Sequence, residues 1–516
     1  MRSHSPTASS RRDFLRRSSL AGPAALLGAL GLAPTATRAA SPAYRTSADS
    51  TDELTFMSAT KLAQLIREKK VSAVEAVQAH YARIDAVNPK LNAVVQFCRE
   101  RALSEATTAD QLLAAGKLLG PLHGVPMTIK DSWDTAGVIS TGGTQGRAFF
   151  VPEKDATVVA RLRAAGAILL GKTNTPEFTL GGVSGLGTTV NIIYGMSRNP
   201  YDLTRSTSGS TGGGGAIIAA GGSPFDVGTD FGGSIRGPSH NNGIAGLKPT
   251  TGRVPRTGHI VDFGGVFDSY QQGGPMARRV EDLITLMPIL SGPDGLDAII
   301  APMPWADPAA VDLKNLRVAY YFSLAPDAPQ PTPGMRAVVE SCAGYFRELG
   351  CTCTETRPPD AIAAAEISTK LREGDGNAWQ KRLTEKYHTT VPGPNRRFDY
   401  PLIATEEFTR LLEERDAWRT KMLQWVKDYD LILCPPALGP AELIGSRDAN
   451  PGRRGAGFTT TYNLTGWPSG VVRAGTSPEK LPLGVMVTAQ PWREDNVLAA
   501  MLHIEGRSGG WQRPPL

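Results

Sequence analysis

Short apolar runs alternate with amphipathic helical segments along this 516-residue chain, and that alternation restricts the fold more than any other feature. The pattern predicts a helix over 155–165, closed by Gly166, and then a buried strand over 167–170. The alternation continues further along the chain, where the pattern predicts a strand over 316–321, a helix over 334–349 and a strand over 352–357. We therefore predict an α/β fold in which helices cover both faces of a single large mixed sheet. No linker-like stretch divides the chain after residue 50.

The first 39 residues are predicted to form an export signal. Residues 10–15 (Ser-Arg-Arg-Asp-Phe-Leu) resemble the twin-arginine motif, and an uncharged run over 18–37 ends at a sequence typical of a signal peptidase site, Thr37-Arg38-Ala39. The run contains three glycines and two prolines, which argues against the alternative of an uncleaved membrane anchor. We expect a twin-arginine signal peptide over 1–39, a folded domain over 40–516, and a periplasmic or secreted protein.

Charge and cysteine content exclude several classes of function. The first 39 residues carry +5 of the chain's net charge of +6, so the remainder is close to neutral and offers no general attraction for nucleic acid or an anionic membrane. The five cysteines are odd in number and scattered, which argues against a disulfide framework. The seven histidines have no metal-ligand spacing. We expect no metal, no cofactor, no nucleic-acid partner and no membrane insertion after signal removal; the oligomeric state stays open.

Residues 166–173 match the residue pattern of a phosphate-binding loop but not the local structure that such a loop requires. The four spacer residues are apolar and coincide with the predicted strand, so they cannot form a loop that offers N–H groups to phosphate. A helix precedes the match, where the motif requires a strand. We therefore expect no nucleotide site here.

A segment dense in glycine and serine, residues 205–253, carries the strongest signal for chemistry. Its two turns around Ser210 and Ser234 are 24 residues apart, and Lys130 ends an earlier apolar run. Glycine-rich turns let backbone N–H groups approach a ligand, and a hydroxyl with a desolvated lysine can serve as nucleophile and base. The residues alone also allow a plainer interpretation, two tight turns and a surface lysine.

Seven short stretches stand in a fixed order along the chain: Ile129-Lys130-Asp131, Asn199-Pro200, Gly209-Ser210, Gly232-Gly233-Ser234-Ile235-Arg236, Gly246-Leu247-Lys248-Pro249-Thr250, Asn463-Leu464-Thr465-Gly466-Trp467-Pro468 and Leu481-Pro482-Leu483-Gly484. Together they resemble the amidase signature family, the serine hydrolases built on a Ser–cis-Ser–Lys triad. The resemblance covers roughly residues 53–505 and implies the amidase signature fold. Several matches in the right order are far more specific than any one of them.

The resemblance implies a role for each matching residue. Ser234 would be the acylated nucleophile, Ser210 the proton relay after a cis peptide bond, and Lys130 the base. The oxyanion hole would be built from the backbone N–H groups of Phe231, Gly232, Gly233 and Ser234. Supporting contacts are expected from Thr211, Asp230 and Arg236. A lysine base must be neutral near pH 7, so we expect burial to hold the pKa of Lys130 well below its ordinary value of about 10.4.

Two positions depart from the family pattern. Thr211 stands where the family usually has a serine; its hydroxyl is expected to keep a supporting hydrogen bond, while its methyl group adds bulk to the turn. Asn241 and Asn242 stand where the family often has an aromatic residue and a cysteine, which is expected to alter the shape of the pocket.

The predicted export signal and the family resemblance together imply an exported amidase acting on a small-molecule amide. The same triad can cleave esters and carbamates, since both pass through a tetrahedral oxyanion. Two further alternatives are a glutamine-dependent amidotransferase subunit, which export disfavours, and a non-catalytic binding protein, which the intact triad disfavours. We expect the pocket to draw on residues 133–150, 184–196 and 360–420. An apolar or aryl substrate fits if aromatic residues of the last stretch line the site: Trp379, Tyr387, Phe398, Tyr400 and Phe408.

Overall fold

The computed structural model describes residues 51–180, 186–265, 270–393, 400–446 and 457–516. By its internal contacts the chain divides into two units, Met1–Ala43 and Tyr44–Leu516, and every described residue belongs to the second. The predicted signal peptide over 1–39 lies outside the described residues.

The described residues form strands and helices in alternation. The strands are β1 (Val94–Phe97), β2 (Pro126–Lys130), β3 (Ile168–Thr173), β4 (Val190–Asn191), β5 (Gly195–Met196), β6 (Phe225–Asp230), β7 (Ala245–Lys248), β8 (Gln272–Ala277), β9 (Arg317–Tyr320), β10 (Thr352–Glu355), β11 (Leu431–Cys434), β12 (Ser469–Thr476) and β13 (Pro482–Thr488). The helices are α1 (Thr51–Phe56), α2 (Ala59–Arg67), α3 (Ala73–Leu91), α4 (Arg99–Ala114), α5 (Thr157–Ala164), α6 (Gly212–Ala219), α7 (Arg236–Asn241), α8 (Val280–Leu290), α9 (Pro333–Glu348), α10 (Ala363–Glu373), α11 (Ala378–Lys386), α12 (Thr405–Val426), α13 (Phe458–Leu464) and α14 (Glu494–Ser508).

An eight-stranded mixed sheet forms the centre of the fold, in the order β10-β9-β11-β13-β12-β7-β8-β6. The strands β10, β9 and β11 run parallel, and the other neighbouring pairs are antiparallel. A second sheet has the order β1-β3-β2, with β2 and β3 parallel, and its strand β2 packs beside β6. This contact between β2 and β6 brings the two parts of the candidate site together.

Alternate side chains of β11 show that helices cover both faces of the large sheet. Leu431 and Leu433 belong to a core cluster that includes the buried faces of α9 and α14. Ile432 and Cys434 belong to a second cluster, which includes the buried faces of α10 and α12. Because successive strand residues point to opposite faces, these two clusters lie on opposite sides of the sheet. The predicted α/β fold is confirmed.

Local residues mark several helix ends. Ser72 and Glu75 form the reciprocal hydrogen bonds of a capping box at the start of α3, and Gly166 follows α5, as predicted, with a φ of 95°. Residues 361–386 contain two helices, α10 and α11. Between them Gly376 and Asn377 have φ values of 67° and 61°, a left-handed backbone that a right-handed helix cannot continue. Within the described ranges, no helix is long and apolar enough to cross a membrane.

Candidate active site

Lys130 is the last residue of β2, and its side chain is completely buried beside β6. Its Nζ donates to Ser210 Oγ at 2.7 Å and to Thr229 Oγ1 at 2.8 Å. Burial lowers the pKa of Lys130 to about 7, against the opposing attraction of the carboxylates of Asp226 and Asp230. The lysine is therefore placed and tuned as a base requires. Thr229, its second partner, was not singled out in the sequence.

The turn that carries Ser210 lies directly before helix α6. The Gly209–Ser210 peptide bond is cis, as the resemblance implies, and the Ser210 side chain is buried. The glycines that open α6 allow close packing: a Cβ on Gly213 would lie 2.5 Å from the backbone nitrogen of Asn174. The Thr211 amide donates to the carbonyl of Ser234 at 3.2 Å, which joins this turn to the turn that carries the second serine.

Ser234 lies in the turn between β6 and α7, with its side chain partly exposed. Within the described part of the chain its hydroxyl makes no hydrogen bond, so the structure brings Lys130 and Ser210 into contact but does not close the link from Ser210 to Ser234. Gly233 has a φ of 117°, and a Cβ there would lie 2.6 Å from Thr459 Oγ1. This turn therefore requires glycine at that position.

The backbone N–H groups predicted for the oxyanion hole are not all available. The amide of Gly233 donates to Asp230 Oδ1 at 2.8 Å, so this predicted donor is already engaged. The amides of Gly232 and Ser234 have no hydrogen-bond acceptor among the described residues, and Gly232 is exposed. The prediction needs a correction at one residue: Gly233 shapes the turn through Asp230. Gly232 and Ser234 have N–H groups that can face an oxyanion, and the role predicted for the Phe231 amide stays a prediction.

Asp230 and Arg236 form a completely buried ion pair beneath this turn. The guanidinium of Arg236 donates to both carboxylate oxygens, at 2.9 and 3.0 Å, and Asn463 donates to Asp230 Oδ1 at 2.9 Å. Burial opposes ionisation, but the charge of Arg236 and these hydrogen bonds outweigh it and hold the pKa of Asp230 well below its usual range. The carboxylate also accepts from the amides of Ile235 and Arg236. Both residues predicted to support the turn thus contact it.

Thr211 does not make the hydrogen bond that was expected of it. Its hydroxyl is buried and has no hydrogen-bond partner among the described residues. The side chain packs over Gly228 of β6, where a Cβ would lie only 2.6 Å from Thr211 Oγ1. The extra methyl group is accommodated because residue 228 is glycine, so Thr211 contributes packing rather than a hydrogen bond.

Comparison with known proteins agrees with this geometry. Residues 75–498 match the family model described as Amidase. The chain belongs to the amidase family. It is an amidase, a hydrolase of carbon–nitrogen bonds in amides, with the amidase signature fold.

The amidase is similar to proteins of more than one activity. It is 33% identical over 496 residues to a glutamyl-tRNA(Gln) amidotransferase subunit of Moorella thermoacetica, covering 90% of this chain and 99% of that protein. It is 34% identical over 476 residues to an acylamidase of Rhodococcus erythropolis, covering 88% and 95%. Among solved structures it resembles a 6-aminohexanoate cyclic dimer hydrolase complexed with substrate, with a TM-score of 0.77, 28% identity and coverage of 89% and 99%.

A cavity of about 390 Å³ in the amidase lies between the loop over 261–265 and helices α10, α11 and α12. Trp379 and Phe408, two of the aromatic residues predicted for a pocket, line it together with Arg382. Tyr387 instead packs against Phe178, with 6.0 Å between ring centroids. Phe398 lies outside the described residues. The described residues contain no group of three or more histidine, cysteine, aspartate or glutamate side chains that could hold a metal ion.

Proposed function

We propose that this amidase cleaves small-molecule amides through an acyl-enzyme on Ser234, with Lys130 as the base and Ser210 as the proton relay. The hydrogen bonds of Lys130, compared with those of two other buried lysines, carry the proposal. Lys248 Nζ donates to the carbonyl oxygen of Pro249 at 2.9 Å. Lys172 Nζ donates to the carbonyl oxygen of Trp133 and to two hydroxyls. Both partners of Lys130 are hydroxyls.

This difference bears on which lysine can take a proton from its partners. A carbonyl oxygen has no proton to give, whereas a hydroxyl can accept from an ammonium group or donate to a neutral amine. Burial lowers the pKa of Lys248 to about 7, as it does for Lys130, so burial alone does not distinguish the two. Lys130 can lose or gain a proton and keep its hydrogen bonds, and it contacts the serine beside the nucleophile turn.

In the proposed reaction, Ser234 Oγ attacks the carbonyl carbon of the amide while its proton passes to Ser210 Oγ, whose own proton passes to Lys130 Nζ. The Ser234 hydroxyl must turn towards Ser210 for this step. The tetrahedral oxyanion accepts hydrogen bonds from the amides of Gly232 and Ser234, each worth roughly 3–4 kcal/mol in the transition state. The C–N bond then breaks, and the proton returns through Ser210 to the departing amine. Water cleaves the acyl-enzyme by the same relay.

A second function, that of an amidotransferase subunit, is favoured by the 33% identity to the Moorella thermoacetica protein. Esterase or carbamate hydrolase activity needs only the same triad. The experiment is to incubate the purified chain alone with aliphatic amides, anilides, peptide amides, carbamates, esters and glutamine. Cleavage of a simple amide supports the proposal. Ammonia release from glutamine that requires further subunits and tRNA would instead support the amidotransferase.

We also propose that the chain is exported by the twin-arginine route and acts on an apolar or aryl amide. Export is supported by the arginine pair and the weakly apolar run that follows it in the first 39 residues. The substrate class is supported by Trp379 and Phe408, which line the cavity, although Lys130, Ser210 and Ser234 are not among its lining residues. Covalent labelling tests the proposed nucleophile: a fluorophosphonate should modify Ser234 and no other serine.

A further inference from the structure

Asp226 is a completely buried carboxyl group beside Lys130 that the proposed mechanism does not use. It lies on β6, and its Oδ2 accepts from Thr128 Oγ1 at 2.8 Å and from Thr173 Oγ1 at 3.0 Å. Both donors are neighbours of Lys130: Thr128 lies two residues before it on β2, and Thr173 is its paired residue on β3. Its Oδ1 has no hydrogen-bond partner among the described residues. The carboxyl group packs against Gly214 in the first turn of α6, where the helix dipole favours a negative charge.

Asp226 differs from the other titratable groups around Lys130, which are either paired with a cation or uncharged near neutral pH. Asp230, the other carboxylate that acts on Lys130, is already paired with Arg236. Burial keeps the pKa of His259 well below its usual value, so this ring contributes no charge near neutral pH. Strand β8 and helix α6, which pack against β6, contain no charged residue.

Two further charged residues, Lys172 on β3 and Asp131 directly after β2, interact with each other. Asp131 accepts hydrogen bonds from Thr141, and its charge acts on Lys172. Asp226, by contrast, accepts only from hydroxyl groups among the described residues. Within the described chain, therefore, no arginine and no lysine other than Lys130 balances the charge of the Asp226 carboxylate.

The two groups titrate in overlapping ranges. Burial raises the pKa of Asp226 to about 6, although the hydroxyls of Thr128 and Thr173 and the charge of Lys130 oppose the rise. Burial lowers the pKa of Lys130 to about 7, and Asp226 is the strongest opposing influence. Near neutral pH the carboxylate is thus present while the lysine exchanges its proton, so each charge state affects the other.

We propose that Asp226 is a positioning residue that sets the basicity of Lys130, because its carboxylate balances the ammonium group formed when Lys130 takes the proton of Ser210. Asp226 neither gains nor loses a proton in this step; the proton leaves Ser234 Oγ, and the relay ends on Lys130 Nζ. The inference rests on the proposed function of Lys130 as the base.

The test is the pH dependence of Ser234 labelling by a fluorophosphonate in wild-type enzyme and in Asp226→Asn. Asparagine keeps the shape of the side chain and removes its charge. Without the carboxylate the ammonium form of Lys130 loses its balancing charge, so the midpoint of the labelling profile should fall by about one pH unit or more. Above the midpoint the labelling rate should also fall, because a weaker base takes the proton.

A matched control is Asp282→Asn. Asp282 is also buried, burial raises its pKa to about 6, and it accepts from the amides of Ala59 and Thr60, where α2 meets α8. Its replacement should lower the melting temperature but leave the labelling midpoint unchanged. Thr173→Val is a milder second variant, which keeps the Asp226 carboxyl group but removes one hydrogen bond that stabilises the carboxylate. It should move the midpoint in the same direction by a smaller amount.

The outcomes separate this inference from the function on which it rests. If Lys130→Ala is labelled at the wild-type rate, or the adduct maps to another serine, the proposed function is wrong. If labelling of Ser234 depends on Lys130 but the midpoint is unchanged or raised in Asp226→Asn, Asp226 does not set the basicity of Lys130. If Asp226→Asn does not fold, the labelling midpoint of Thr173→Val tests the inference in the same way. An equal shift in Asp282→Asn would also overturn the inference.

Discussion

Replacing Arg236 by methionine tests whether the nucleophile turn depends on its buried ion pair. Arg236 and Asp230 are both 0% exposed, and the change leaves the Asp230 carboxylate buried without its cation. Breaking such a pair on one side destabilises a protein by about 3–5 kcal/mol. The control is Arg317→Met, which removes the same kind of bidentate contact from Asp430 at 48% and 28% exposure. A surface pair of this kind contributes about 0–1 kcal/mol.

Equilibrium urea unfolding, followed by tryptophan fluorescence, measures the free energy of unfolding of both variants. The pH dependence gives a second readout. In the wild type the depressed pKa of Asp230 stabilises the fold above the ordinary aspartate value of about 3.9 and stops doing so as pH falls through the depressed value. In Arg236→Met the direction of the pKa shift of Asp230 reverses, because an unpaired buried carboxyl group prefers its neutral form. The deficit should therefore be largest at about pH 8 and smaller at about pH 5.

Apolar replacement of both partners should not restore stability. Asp230 also accepts from the amides of Gly233, Ile235 and Arg236, and each buried N–H left unpaired costs about 1–3 kcal/mol. The double variant Asp230→Leu/Arg236→Met should thus be no more stable than Arg236→Met. Equal losses in Arg236→Met and Arg317→Met, or full recovery in the double variant, would refute the view that this pair and its amide contacts hold the turn.

The other predictions concern the chemistry and the fate of the chain. Ser234→Ala and Lys130→Ala should each abolish turnover in a kcat/KM assay, Ser210→Ala should fall between them and the wild type, and Lys130→Ala/Ser210→Ala should be little worse than Lys130→Ala, since these groups act as a unit. The wild-type rate should rise with pH through about 7 as Lys130 loses its proton; a flat profile over this range would contradict the assignment. Activity should survive EDTA and dialysis, and rescue of a dialysed, inactive enzyme by zinc would contradict the mechanism. Intact mass of the exported protein should give a mature start near Ala40, whereas an intact Met1 start in the native cytoplasm would contradict export.

Local sequence signals were enough to predict the class of fold and the burial of Lys130, whereas its role as base was implied by the family resemblance. The apolar residues before Lys130 predicted a buried strand, and that burial is what lowers its pKa. Gly166 predicted the end of α5 within a few residues. The break between α10 and α11 depends on the consecutive positive φ values of Gly376 and Asn377, which residue types alone do not specify.

The contacts around the site could not be predicted in the same way, because they depend on the position of β2 beside β6. Thr229 lies 99 residues from Lys130 in sequence, so nothing local indicates that its hydroxyl faces the lysine. The position of Asp226 beside Lys130 could not be predicted from local sequence for the same reason. The capture of the Gly233 amide by Asp230 is different: an aspartate three residues before a glycine turn is a local signal, and a search for side-chain-to-backbone hydrogen bonds would have found it.

The same hydrogen bonds explain why the proposed site can act on amides, whose nitrogen leaves poorly unless it is protonated. Attack on the carbonyl carbon requires a proton to move from Ser234 towards Lys130, and departure of the amine requires a proton to move back. A relay whose members can only donate or only accept would serve one direction. Lys130, Ser210 and Thr229 can each do both, and both hydrogen-bond partners of Lys130 are hydroxyls. With a pKa of about 7, the neutral and the protonated forms of Lys130 are similarly populated near neutral pH. The site therefore supports both halves of amide cleavage with one base.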